Sequence, residues 1–163
     1  MKKVSSLFAV LALLATFAAT ADRTEAGGPK GALKVRGGGT GLFIDPSVTP
    51  TNMGLTTNFS VALTVNSDGS ARGHFICLIP GTIVVNGTYS SASVDASTGI
   101  VTASGVATET FPGAGQITVN FTNTFKAGGV GVGQFTLTED SGYFDVPPFH
   151  DTEVVVAGHI TFN

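Results

Sequence analysis

The chain has 163 residues, a single cysteine and a formal net charge of −3. That length suits one domain, and one cysteine excludes an internal disulfide framework. From Thr40 onward only Arg72 and Lys126 are basic, against nine acids, a balance of −7 with histidines neutral. Such a surface repels phosphate backbones, so nucleic acid is excluded as its partner.

In chain order, Lys2 and Lys3 give a short positive start, and Leu7 through Phe17 is an apolar run broken only by Thr16. Small residues at Ala19 and Ala21 then favour a cut before Asp22, so residues 1–21 read as a signal peptide. The apolar run is shorter than the roughly 20 residues a spanning helix needs. The expected product is secreted or periplasmic, and the Met-Lys-Lys start is of a bacterial kind. No cysteine stands at position 22 to carry a lipid.

Residues 22–41 read as a glycine-rich, basic, flexible lead-in holding Arg23, Lys30, Lys34 and Arg36. Within it, Leu33 and Val35 alternate with charge and can add a short edge strand. Residues 42–163 form a single all-β domain, because the apolar period is two from Leu42 and a period of 3.6 never appears. From Thr57 to Asn66, Phe59, Val61, Leu63 and Val65 face one way and polar residues the other. Asp68-Gly69 supplies a tight hairpin turn, and Ala71 to Ile79 returns.

A second pair runs from Ile83 towards Val94 and, after the 95–99 turn, from Ile100 to about Thr108. A third alternates Ile117, Val119, Phe121 and Phe125 with polar residues, then crosses a Gly-rich turn to Phe135 and Leu137. The last strand runs from Glu153 to Phe162. About eight evenly spaced strands imply an antiparallel β-sandwich, with a small closed β-barrel as the alternative.

Reactive side chains gather in one stretch, Pro147 through Glu153. His150, Asp151 and Glu153, with His74 and His159, are the candidate ligands of a divalent metal, although their spacing matches no established metal motif. In an extended segment, Asp151, Glu153 and His159 share a face. His74 and His159 each follow a glycine, which suggests that their strands are neighbours. Cys77 is in phase with Phe75 and Ile79, as a buried, inert thiol would be. No serine stands in Gly-x-Ser-x-Gly, so a nucleophile elbow is excluded.

The first functional reading is an exported, non-enzymatic binding or surface-structural module with a protein or polymer ligand. Tyr143, Phe144, Phe149 and His150 would form its binding surface, with no cofactor and no stable membrane insertion. A metal-binding protein or small enzyme is the first alternative. The second is an outer-membrane barrel, against which stands the lack of tryptophan for interfacial girdles.

Overall fold

The computed structural model describes residues 32–44, 54–140 and 149–163. Eight strands follow one another: β1 (Leu33–Phe43), β2 (Thr56–Val65), β3 (Ala71–Ile79), β4 (Ile83–Val94), β5 (Val101–Phe111), β6 (Gly115–Lys126), β7 (Gln134–Glu139) and β8 (Phe149–Phe162). Each pairs antiparallel with its successor, and β8 returns to β1, so the sheet is a closed up-and-down barrel. The second of the two expected architectures is therefore the one formed. Sandwich and barrel share the same period of two. Closure depends on pairs such as Val35 with Phe162 and Gly37 with Ile160, which no local pattern records.

The alternation sets inside from outside. On β2, Thr57, Phe59, Val61, Leu63 and Val65 are buried, whereas Asn58 and Ser60 are exposed. An eight-stranded barrel is just wide enough for side chains to fill it, and here the filling is aromatic. Phe75 packs against Phe121, Phe125 and Phe135 at centroid distances of 6.4, 6.4 and 5.8 Å, and Phe59 meets Phe135 at 4.6 Å. Tyr89 joins them 5.3 Å from Phe121. Its hydroxyl donates to Asn123 Oδ1 at 2.7 Å, and Asn123 Nδ2 donates to the Thr136 carbonyl at 2.9 Å. These polar groups are buried with partners, which removes most of their desolvation cost.

The turns are built by the residues that announce them. Asp68 Oδ1 accepts from the Ser70 N–H at 2.9 Å and from its hydroxyl at 2.6 Å, and Gly69 takes a φ of +83°. Asp95 accepts from the Ser97 amide and hydroxyl and from the Thr98 hydroxyl. Led by the Ser97 hydroxyl, these bonds favour the charged form and bring its carboxyl down to about 2.

The glycine-rich stretch departs most from expectation. Residues 33–41 belong to β1 rather than to a flexible lead-in, and they pair on both sides, with β2 and with β8. In phase with buried Val35 and Phe43, the positions Gly37, Gly39 and Gly41 face inward. A Cβ at Gly41 would overlap the Glu153 carboxylate and touch the Thr57 hydroxyl at 3.0 Å. Here glycine permits close approach, a use the sequence does not distinguish from looseness.

Two strands slip phase. On β8, Val155 pairs with Gly41 and Ala157 with Thr40, leaving one extra residue; Val155 and Ile160 are both buried. Gly158 accommodates the kink with a φ of +91°. On β4, the shift lies between Tyr89 and Ser91, so Tyr89 and Ala92 both point inward. Such bulges add a residue and redirect everything beyond it. β7 is only six residues long, and the preceding connection continues its wall. Gly128 exchanges backbone bonds with Ile160 at 2.9 and 2.8 Å, and Val155 bonds to Gly131 and Gly133.

Candidate functional site

The expected histidine site does not assemble. His74, His150 and His159 are all exposed. His74 lies on β3, opposite Ala62 and Thr88. His159 lies on β8, opposite Gly38, so two whole strands separate it from β3. Three interstrand steps amount to about 14 Å, well beyond a shared ligand. His150 stands near the other end of β8, roughly 30 Å along the strand from His159, and its Nδ1 lies 2.8 Å from the Thr138 hydroxyl.

Asp151 and Glu153 share a face, as expected, and it is the barrel interior. The bulge beside Val156 turns His159 to the opposite side. Among the described residues no group of three or more His, Cys, Asp or Glu side chains is arranged to hold a metal ion. Of the expected binding surface, Tyr143, Phe144 and the Phe149 side chain lie outside the described residues, whereas His150 is on the outer wall.

What the barrel does bring together is a set of buried acids. Glu109 of β5, Glu139 of β7, and Asp151 and Glu153 of β8 are each no more than 2% exposed. They gather where β7 ends and β8 begins, with Leu137 paired to Asp151 and Phe135 to Glu153. The four basic residues of the described chain, Lys34, Arg36, Arg72 and Lys126, are all exposed. Burial without a cation disfavours ionised carboxylates.

The four acids are served unequally. Thr57 Oγ1 donates to Glu153 Oε2, and the Cys77 thiol lies 3.9 Å from Oε1. Burial raises Glu153 to about 7, and these two donors hold it from going higher. Burial also raises the Cys77 thiol well above its usual range, with the Glu153 charge adding to the effect. This fits the inert role expected of that residue.

Glu139 has no such help. Burial first, then the Glu109 carboxyl beside it, push it far above the carboxylate range. Both Glu109 oxygens and Glu139 Oε1 are buried and lack a donor. Two bare carboxylates can only accept, so their contact becomes a hydrogen bond once one of them carries a proton. Beside them a 20 Å³ cavity is bounded by Cys77, Ile79, Glu109, Leu137, Glu139 and Asp151. One water molecule needs about 10–15 Å³ of such space.

Glu109 and Glu139 were not among the residues singled out from the sequence. Their signal was a matter of phase: Glu109 continues the inward series of Ala103 and Ala107, and Glu139 that of Phe135 and Leu137. A strand ended at Thr108 stops just before the first, and one followed only as far as Leu137 stops short of the second.

The outer wall carries a different feature. An open hollow of about 370 Å³ spans β4 to β7. Its rim includes Ser90, Ser104, Thr122, Asn120 and Asp140. The Ser104 and Thr122 hydroxyls are 2.9 Å apart, and Asn120 holds the Asp140 carboxylate through its amide N–H at 3.0 Å and its Nδ2 at 2.7 Å. Ser90, at the β4 bulge, and Gly105 are among the residues that line it.

Compared with family models, with curated proteins and with solved structures, the chain matches none of them.

Proposed function

We propose that the chain is an exported, non-enzymatic barrel module that works through its outer wall, on a protein or polymer ligand in the periplasm or outside the cell. The observation that carries this reading is the filled interior. Phe59, Phe75, Phe121, Phe125 and Phe135 occupy the space in which a wider barrel would hold a small molecule. Recognition then falls to the outside, where the hydroxyl-rimmed hollow across β4 to β7 offers a concave surface.

The polarity of the wall supports a water-facing barrel. Asn58, Ser60, Thr88, Asn86 and Asn120 point outward while phenylalanines point inward. A membrane barrel needs the reverse, an apolar band outside. The dispersal of the three histidines weighs against the metal-dependent alternative.

Expression of the full chain in a bacterial host, followed by fractionation, tests the reading. The protein is expected in the soluble periplasm or medium, beginning at Asp22 by mass spectrometry and free of stoichiometric zinc, copper or iron. Recovery in the outer membrane with heat-modifiable gel mobility would overturn it in favour of the membrane barrel. Stoichiometric metal would overturn it in favour of the metal-binding alternative.

A further inference from the structure

The acid-lined end of the barrel is unexplained by a role for the outer wall. Four carboxyl groups enter one interior from three strands, and no basic side chain of the described residues enters with them. Their charge must be cancelled by a cation or by protons, because several like charges cannot remain buried together. A metal requires converging ligands, and the described residues offer no such group. The cavity among them is water-sized, and the Glu109 carboxyl beside Glu139 favours a proton on Glu139.

We infer that this end of the barrel is a proton-held clasp: protons held by Glu139 and Glu153 keep β7 and β8 closed there, and their loss at alkaline pH opens it. Among the described residues, five ionisable groups face that interior. Glu109 comes from β5, Glu139 from β7, Asp151 and Glu153 from β8, and Cys77 from β3. Thr57 from β2 is a neutral donor. β1 and β6 present no ionisable side chain to the interior, and β4 presents only Tyr89, held at mid-barrel by Asn123. Outside, Asp140 adds its charge to Glu139, and His150 faces away on β8.

The position of the clasp explains why these strands would yield first. β7 is short and meets β8 over Gln134–Glu139 alone, so little pairing opposes mutual repulsion of Glu139 and Asp151. The direction with pH follows from proton linkage. The unfolded chain releases its Glu protons near the ordinary value of 4.5, whereas folded Glu153 keeps its proton to about 7 and folded Glu139 beyond that. The native state therefore holds more protons above pH 4.5, and its stability falls as pH rises.

Urea unfolding of the exported protein between about pH 5 and pH 9 tests the clasp, with the folding constant expected to fall about tenfold per pH unit for each extra proton held. Glu139→Gln and Glu153→Gln, which keep shape without charge, are expected to flatten that decline. Hydrogen exchange on the unmodified protein serves if either variant fails to fold: amides of 137–139 and 151–153 should speed up at alkaline pH beyond the intrinsic rate, ahead of those near Val65 and Val101. A folding constant that is level or rising over this range would overturn the inference, as would an undiminished slope in both variants. Restoration of alkaline stability by millimolar calcium or magnesium would also overturn it, by making the acids a cation site.

Discussion

At the scale of single residues, the interior is decided by where bulk is withheld. Gly87 of β4 faces Phe121, and a Cβ there would stand 2.5 Å from the ring. The backbone of Gly87 is ordinary, so the constraint is one of space rather than of conformation. Gly87→Ala is expected to destabilise the barrel by about 1–3 kcal/mol, the usual cost of overpacking, as read by urea unfolding. Combining it with Phe121→Leu should cost less than the sum of the two single changes, since the smaller side chain vacates the contested space. Full additivity would mean that the ring does not meet Gly87. The same logic explains why Gly37, Gly39 and Gly41 look like a lead-in in the sequence: composition counts glycines, but only the fold shows which neighbour occupies the missing side chain's place. Glu109 and Glu139 were legible by phase and were lost at the strand ends.

At the scale of elements, the alternation located β2 and β3 closely because each has an unbroken period between turn signals. It failed across β8, where one extra residue near Val156 separates the face of Asp151 and Glu153 from that of His159. Nothing in Val-Val-Val-Ala-Gly-His announces a bulge, since an inserted residue is defined by its partner strand rather than by its own neighbours. The Gly-His resemblance between β3 and β8 likewise carried no information about adjacency. The weakest seam follows from the same local irregularities. Between Lys126 and Gln134 the chain closes the wall through a loop that bonds to β8 at Gly128, Gly131 and Gly133. At neutral pH, amides of Gly131 and Gln134–Glu139 are expected to exchange well before those of β2 to β5, where long strands pair on both sides. Uniform protection around the barrel would contradict that ranking.

At the scale of the whole molecule, two facts had to combine. The period of two made an all-β chain with one dry face certain to need burial, and eight strands gave enough width to enclose it. Whether those strands folded into facing layers or into a ring depended on β1 meeting β8, residues more than a hundred positions apart. Closure also removes free edges, which protects a Thr-rich sheet from pairing with other chains. The ring is filled with phenylalanine and walled with Ser, Thr and Asn, and the proposal that recognition falls to the outer surface rests on that arrangement.

Backbone nuclear Overhauser contacts between β1 and β8, measured on isotope-labelled protein, test that closure most directly. Cross-peaks joining Val35 to Phe162 and Gly37 to Ile160, together with those joining Val35 to Leu63, are predicted, because β1 has a partner on each side. The β1–β2 contacts without any β1–β8 contact would leave an open sheet and contradict the barrel.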